Sequence, residues 1–119
     1  MATRSSIAVV LNDGSVKSIY CHYDGYVGYN GKYLRAYYNT YEQALELIQK
    51  GDMFSLNETI EESIFYSRDR GEKLVVRTYS SLKFYLLSQD YRQDYDYIFA
   101  EGQWFLINGG SLNDFIVKE

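Results

Sequence analysis

No proline occurs among the 119 residues, and cysteine, histidine and tryptophan occur once each. A single cysteine cannot form an internal disulfide, so nothing in the chain indicates an oxidising compartment. One histidine and one cysteine leave a zinc site without its usual ligands, and we predict neither a metal nor a cofactor. The sequence shows no internal repeat and no break in composition that would mark a linker. It therefore predicts a single globular domain over residues 1–119.

Long hydrophobic runs are also missing. No segment approaches the ~18 consecutive apolar residues of a membrane-spanning helix. The apolar run at residues 7–11 is interrupted by Asn-Asp-Gly at 12–14 before it reaches the length of a signal-peptide core. We therefore expect a protein that stays in the cytoplasm and does not bind a membrane.

Basic residues are outnumbered, with 12 Lys and Arg against 16 Asp and Glu and a formal net charge of −4. General binding to DNA or RNA depends on clustered Lys and Arg that neutralise phosphates, so we do not expect it here. The acidic residues form two groups, which are Glu58, Glu61 and Glu62, and Asp90, Asp94, Asp96 and Glu101. Acidic surfaces beside aromatic residues suit a protein partner, although each group alone also fits an ordinary solvated face.

Tyrosine, in contrast, is abundant, with 14 residues in the chain. Its side chain is amphipathic and is enriched at protein interfaces. Six tyrosines lie close together in the sequence: Tyr23, Tyr26, Tyr29, Tyr33, Tyr37 and Tyr38. Some of them can simply fill the core with the hydroxyl at its rim. Three or four exposed together would form a binding surface.

Two β-hairpins are predicted from alternating apolar residues around short turns. Residues 7–11 and 16–23 flank Asp13 and Gly14, which favour a two-residue turn. The pairs that follow from this turn are Leu11 with Val16, Val9 with Ser18, and Ile7 with Tyr20. Residues 95–100 and 103–108 flank a second turn at Glu101 and Gly102. The pairs expected there are Phe99 with Trp104 and Tyr97 with Leu106.

Helical patterns occur between the hairpins. Thr40 and Gln43 form a capping box before an apolar face with helical spacing, and Gly51 follows as a C-cap, so a helix is predicted over 40–50. Shorter helices are predicted at 32–38 and 81–89, strands at 64–67 and 74–79, and a helical turn or edge strand at 112–117. Residues 52–62 are predicted to be irregular, with a small capped turn at Ser55 and Glu58. The fold class is therefore α+β: a mainly antiparallel sheet built from β-hairpins, with two or three helices packed on one face.

Residues 20–26, Tyr-Cys-His-Tyr-Asp-Gly-Tyr, contain the only histidine and the only cysteine, and loops of this kind often display binding groups. Consecutive strand residues point to opposite faces, so Cys21 and His22 are not expected to form a catalytic dyad. Cys21 is predicted to be a free thiol in the core. His22 and Asp24 would share a face, where the carboxylate can orient the imidazole, or His22 can be a structural residue near a turn.

Two arginines flank an aspartate at residues 68–70. If this segment is a strand, Arg68 and Arg70 face the same side and offer guanidinium groups to a phosphate or a carboxylate, while Asp69 faces away. Together with Arg4 and nearby tyrosines they would form an anion pocket. Alternatively, the arginines pair with Glu72 and other acidic neighbours.

Residues 1–8, Met-Ala-Thr-Arg-Ser-Ser-Ile-Ala, and the motif at 20–26 together resemble a family of small bacteriophage proteins of unknown activity. Asn30, Gly31, Leu34, Tyr38 and the segments 51–53 and 68–72 extend the resemblance over about the first two thirds of the chain. Tyr23 stands where relatives have tryptophan or phenylalanine, and Ser67 where glycine is common. The resemblance implies no catalytic or ligand residue. It implies a setting, which is an accessory protein in the cytoplasm of an infected bacterial host.

Two functional hypotheses follow. The preferred one is a non-enzymatic binder of a host bacterial protein, a defence or regulatory factor, through a tyrosine-rich acidic surface. The alternative is a protein that sequesters or hydrolyses a small phosphorylated ligand or nucleotide. Candidate binding residues are Arg4, Tyr20, His22, Tyr23, Asp24, Tyr26, Tyr29, Arg68 and Arg70, of which the alternative uses Arg4, His22, Asp24, Arg68 and Arg70. No catalytic residue is predicted, and the sequence leaves open a homodimer through an exposed strand edge.

Overall fold

The computed structural model describes residues 2–107. Its elements, in chain order, are β1 (Ser5–Val10), β2 (Val16–Cys21), a π-helical turn (Val27–Gly31), α1 (Lys32–Tyr37), α2 (Tyr41–Gln49), β3 (Met53–Ser55), β4 (Ile64–Phe65), α3 (Tyr66–Arg70), β5 (Arg77–Tyr79), α4 (Leu82–Ser88), β6 (Tyr95–Ala100) and β7 (Gln103–Ile107). The predicted α+β class is confirmed. The predictions for Asn108 and for residues 112–117 lie outside the described residues. No helix within 2–107 has the length and apolar character needed to cross a membrane.

The strands form one mixed sheet in the order β4-β3-β2-β1-β6-β7, with β5 paired to β2. Most neighbours are antiparallel, as predicted, but β1 runs parallel to β6 and β2 runs parallel to β3. Both hairpins therefore meet along the parallel pair β1 and β6 at the centre of the sheet. Among the described residues, strands β4, β5 and β7 each pair with one neighbour only, and the homodimer stays a prediction.

The first hairpin exists, but its predicted register is wrong by one residue. Ile7 pairs with Ile19 instead of Tyr20. The backbone N–H of Leu11 donates to the Ser15 carbonyl at 2.8 Å, which leaves a loop at residues 12–14. Gly14 has a φ of +89°, as expected when a hairpin loop of three residues ends in a left-handed glycine. The Asp13 carboxylate accepts from the N–H and the hydroxyl of Ser15 and so stabilises the longer loop.

The second hairpin is confirmed together with its register. Phe99 lies opposite Trp104, and Tyr97 lies opposite Leu106. The turn residues Glu101 and Gly102 both have positive φ, at +53° and +78°. A two-residue turn with this geometry matches the twist of the two strands.

The three predicted helices are present. In α2 the Thr40 side chain accepts from the backbone N–H of Gln43 at 3.1 Å, and Gly51 beyond the helix has a φ of +88°. In α4 the Ser81 side chain caps the N–H of Phe84 at 3.2 Å. These caps satisfy backbone donors that the first helical turn leaves unpaired.

The segment between Gly51 and residue 80 differs most from its prediction. The predicted strand over 64–67 ends at Phe65, because the Asp69 carboxylate accepts from the backbone N–H of Phe65 at 2.8 Å and starts the additional helix α3. Residues 52–62 contain the short strand β3 and are not irregular throughout. Their capped turn begins at Thr59 and not at Ser55, since the Thr59 hydroxyl accepts from the N–H of Glu62 at 3.2 Å. The predicted strand at 74–79 is shorter, covering only β5.

The sheet is covered on both faces, so the prediction of helices on one face is wrong. One face carries Ile7, Val9 and Ile19, which pack with the apolar residues of α1 and α2. The other face carries Ala8 and Val16 among others, and these pack against α4. Because successive strand residues alternate between faces, a strand that is apolar at consecutive positions is buried on both sides.

Candidate functional site

The segment 20–26 begins as part of the core. Cys21 is fully buried, and burial raises the pKa of its thiol to about 11. The thiol donates to the Tyr23 carbonyl at 3.6 Å. The buried Asn30 side chain donates to the Cys21 sulfur at 3.5 Å and to the Ser5 hydroxyl at 3.2 Å. The expectation of a free core thiol is confirmed.

Gly25 fixes the path of the loop that follows. Its N–H donates to the Thr3 carbonyl at 2.8 Å, and its carbonyl accepts from the Tyr97 hydroxyl at 2.7 Å. A Cβ at this position would lie 2.9 Å from the backbone carbonyl of Arg4, closer than real Cβ atoms approach backbone. Asp24 has a φ of +59°, and its carbonyl accepts from the N–H of Asn30 at 3.1 Å. Asp24 thus acts in this turn through its backbone.

Four tyrosines beyond this loop form a continuous row of rings, which we call the tyrosine ladder (Tyr26, Tyr29, Tyr33 and Tyr37). Neighbouring ring centroids are 6.4, 4.5 and 5.6 Å apart in that order. The π-helical turn and α1 place residues three and four apart on the same side. The ends of the ladder are its most exposed members, at 43% for Tyr26 and 41% for Tyr37. Four of the six clustered tyrosines therefore form one surface, whereas Tyr38 is buried in the core and Tyr23 packs against His22.

The ladder ends at a cleft of about 210 Å³, which we call the acidic cleft. It is lined by Tyr37, Tyr38, Gln43, Glu46, Glu58, Thr59, Ile60 and Glu61. The Tyr38 hydroxyl donates to the Asn57 carbonyl at 2.8 Å, and the Tyr29 hydroxyl donates to the Asn57 side chain at 3.2 Å. Burial raises the pKa of the Tyr38 hydroxyl, and the neighbouring glutamates raise it further. One of the two acidic sequence groups thus borders the tyrosines, and Glu46 joins it from α2.

A second aromatic group lies around His22, which we call the arginine-capped cluster (His22, Tyr23, Phe54, Tyr66 and Arg70). The His22 ring lies 4.7 Å from Tyr23 and 5.9 Å from Phe54, centroid to centroid. The Arg70 guanidinium carbon lies 4.3 Å from the Phe54 centroid, which is a cation–π distance. Sequence reasoning missed Phe54 and Tyr66, because their positions depend on strand pairing that no local pattern indicated.

Tyr20 and Arg4 adjoin this cluster. The Tyr20 hydroxyl and His22 Nδ1 are 2.7 Å apart. Burial raises the pKa of the Tyr20 hydroxyl, and the guanidinium of Arg4 acts in the opposite direction. The Arg4 backbone N–H donates to the Asp94 carboxylate at 2.9 Å, which holds the start of β1 beside β6. The structure therefore joins Tyr20 to His22, and it places Arg70 on the same cluster through Phe54.

Arg68 is positioned differently from its prediction. It lies on α3 instead of a strand, and it donates to the backbone carbonyls of Ile60 and Ser63 at 2.9 and 2.6 Å. Asp69 does not face away, because its carboxylate pairs with Arg68 at 2.9 Å. The alternative reading of Arg68 as a structural partner is correct, with Asp69 in place of Glu72. Its donors hold the turn at residues 60–63 against α3.

Two further polar contacts were missed by sequence reasoning. Arg77 forms a bidentate pair with Asp52 at 2.8 and 2.9 Å, and Asp52 also accepts from the backbone N–H of Tyr20. On the same face of the sheet as Arg77, the Ser6 hydroxyl donates to the Asp96 carboxylate at 2.7 Å. Burial raises the pKa of the Asp96 carboxyl to about 6. Both pairs join residues that lie far apart in the sequence, so no spacing could indicate them.

Within residues 2–107, no group of three or more His, Cys, Asp or Glu side chains is arranged to hold a metal ion. The chain was also compared with known proteins. No protein-family model, no curated protein and no solved structure matches it.

Proposed function

We propose that this protein is a non-enzymatic binding protein that engages a protein partner through the tyrosine ladder and the acidic cleft. The observation that carries this proposal is the unbroken ring-to-ring contact from Tyr26 to Tyr37, which itself lines the acidic cleft. Aromatic and carboxylate groups thus form one surface on the same side of the molecule. Tyrosine-rich surfaces of this kind are typical of protein recognition.

The ladder side chains are held in their row by contacts within the protein itself. Tyr29 and Tyr33 stack at an interplanar angle of 18°, and the Tyr29 hydroxyl is held by Asn57. Ordering a side chain at an interface costs about 0.5–1.5 kcal/mol, so a prearranged row of rings loses less on binding. The exposed ends at Tyr26 and Tyr37 provide the apolar contact area.

The charge of the cleft indicates the chemistry of the partner. Glu46, Glu58 and Glu61 line it, and no Lys or Arg is among its described lining residues. A complementary surface would present lysine or arginine side chains, which also bind the faces of tyrosine rings. We therefore propose a partner segment that carries basic residues.

The biological setting is part of the same proposal. The resemblance of residues 1–8 and 20–26 to small bacteriophage proteins supports a role in the cytoplasm of an infected bacterial host. The partner would then be a host protein, either a defence factor or a regulatory factor.

The test is affinity capture from bacterial lysate with three tagged proteins: the wild type, Tyr26→Ala/Tyr37→Ala, and Phe84→Ala/Leu87→Ala. The last variant is a matched control, since it removes two exposed side chains of α4 on the opposite face of the sheet. We expect one host protein to be retained by the wild type and the control and lost from the ladder variant. Reconstitution with that purified protein should show at least about tenfold weaker binding, as expected when an aromatic hot spot is removed. Equal retention by all three proteins would contradict the proposal.

A second candidate function is binding of a small phosphorylated ligand or nucleotide. The observation that favours it is the contact between Tyr20 and His22 beside Arg4, with the exposed Arg70 on the same cluster. Arginine binds phosphate through paired N–H donors, and aromatic rings stack on nucleobases. Titration with a nucleoside triphosphate, followed by amide chemical shifts, should perturb residues 20–23 and 66–70. Loss of those shifts in Arg70→Ala but not in Arg92→Ala, an exposed arginine elsewhere, would support this function.

A further inference from the structure

A cavity of about 500 Å³ lies at one end of the central strands, away from the tyrosine ladder. Its walls include the last residues of β1 and β6, Phe105 of β7, Tyr41 at the start of α2 and Leu82 at the start of α4. Most of these side chains are apolar. This volume falls within the range of pockets that bind small organic molecules.

The cavity lies where the two hairpins of the sheet turn back. Strands β1 and β6 are parallel neighbours, so their carboxyl ends meet at the same edge. From that edge the chain turns back into β2 on one side and into β7 on the other. The cavity is lined by residues of both turns, including Asn12 of the first and Gly102 of the second.

The polar groups of the cavity define which ligand it suits. Glu101 is the one charged side chain among the described lining residues. The Tyr41 hydroxyl accepts from the backbone N–H of Asn12 at 3.2 Å, which leaves its own proton free to donate. The aromatic rings of Tyr41, Phe99 and Phe105 also line the cavity, and ring faces attract cations. Both the carboxylate and the rings therefore favour a positively charged ligand group.

Glu101 occupies a position that its residue type does not favour. It is the first residue of a turn with positive φ at both positions, at +53° for Glu101 itself. Glycine, asparagine and aspartate are preferred there, because other side chains are strained in the left-handed region. Glu101 is therefore a strained turn residue that also lines the cavity.

We infer that this cavity binds a small organic cation with an apolar body and an ammonium group. The ammonium group lies at Glu101, and the apolar body lies among the side chains of β1, β6 and α4. This site is independent of the proposed protein-binding surface, because none of its lining residues belongs to the ladder or the acidic cleft.

The test uses 2-phenylethylamine as the probe, with 2-phenylethanol as its neutral analogue and 3-phenylpropionate as its anionic analogue. Binding to the intact protein is followed by backbone amide shifts and by fluorescence of Trp104, whose ring packs on Phe99 at 5.2 Å. We expect saturable binding of the amine, about three- to fivefold tighter than binding of the alcohol, which is the gain expected for a solvent-accessible ion pair. The carboxylate should bind most weakly.

Matched variants identify the groups responsible. Glu101→Gln should remove the advantage of the amine over the alcohol, whereas Glu72→Gln, an exposed glutamate elsewhere, should leave it unchanged. Leu82→Trp fills the cavity and should abolish the amide shifts, whereas Leu87→Trp on the solvent side of the same helix should not. Thermal unfolding of each variant checks that it is folded. No saturable binding of the amine by the wild type, equal binding of all three probes, or unchanged binding by folded Leu82→Trp would each overturn the inference.

Discussion

The buried carboxyl of Asp96 should make the free energy of unfolding depend on pH. Asp96 lies on β6 with 6% of its surface exposed. One of its oxygens accepts from the Ser6 hydroxyl at 2.7 Å and from the backbone N–H of Gln93 at 3.0 Å. Burial outweighs these hydrogen bonds and raises the pKa of the carboxyl to about 6, against an ordinary value of 3.8. The folded protein therefore binds a proton at Asp96 more tightly than the unfolded chain does.

The direction of the pH dependence follows from this shift. A carboxyl whose pKa is higher in the folded state binds a proton more tightly there than in the unfolded chain. Its stabilising effect is fully present below the unfolded pKa and is lost as the pH rises from about 4 through about 6. Two pKa units correspond to at most ~3 kcal/mol. Asp96 also lines a cleft of about 290 Å³, and water there lowers the cost of the charged form, so we expect ~1–2 kcal/mol.

Asp96→Asn preserves an oxygen that accepts from Ser6 and Gln93 but removes the charge. We expect its free energy of unfolding at pH 8 to exceed that of the wild type by ~1–2 kcal/mol, and the gain to vanish near pH 4. Urea unfolding followed by Trp104 fluorescence at both pH values measures this difference. Glu72→Gln, at an exposed carboxylate elsewhere in the chain, should change stability by less than ~0.5 kcal/mol. A gain of equal size at both pH values, or a loss at pH 8, would refute the reasoning.

Three further predictions concern the segments next to the proposed binding surface. Gly25→Ala should lower the free energy of unfolding by ~2–4 kcal/mol, because the alanine Cβ would lie 2.9 Å from the Arg4 backbone. An unchanged melting temperature would contradict this close approach. Thr40→Ala should cost ~1 kcal/mol through loss of the hydrogen bond to the Gln43 N–H, while Thr40→Ser should retain most of it in the same denaturation assay. Cys21 should react with a thiol reagent at pH 8 at least ~100-fold more slowly in the folded protein than in urea, because burial raises the pKa of its thiol to about 11. Rapid labelling without denaturant would show that Cys21 is not buried.

The elements that were predicted from sequence are those fixed by neighbouring residues. The pairing of Phe99 with Trp104 depends on a turn of two residues, and the start of α2 depends on Thr40 and Gln43. The first hairpin was more ambiguous, because Asp-Gly can close a loop of two residues or end a loop of three. The hydrogen bonds from Ser15 to the Asp13 carboxylate favour the longer loop, and they shift every pair by one residue.

Contacts between distant residues could not be predicted in this way. Ser6 and Asp96 are 90 positions apart, yet they are neighbours because β1 runs parallel to β6. For the candidate site, Tyr33 and Tyr37 share a face of the helix predicted at 32–38, whereas Tyr26 and Tyr29 join them only through the π-helical turn, which was not predicted. The arginine-capped cluster does not follow from a local pattern, because Phe54 reaches His22 only through the pairing of β3 with the end of β2.

The central parallel pair also determines when the fold can be completed. Strand β1 forms its hairpin with β2 from residues that are close in the sequence, but its other edge is paired only after β6 is available. Pairings of such high sequence separation slow folding, because a long loop must close before any contact compensates for its entropy. During synthesis on the ribosome, the backbone N–H and C=O groups along that edge of β1 have no strand to pair with until β6 has been made. Until then another chain can pair with the free edge of β1. The protein is therefore most prone to misassembly, or to binding by a chaperone, during this interval.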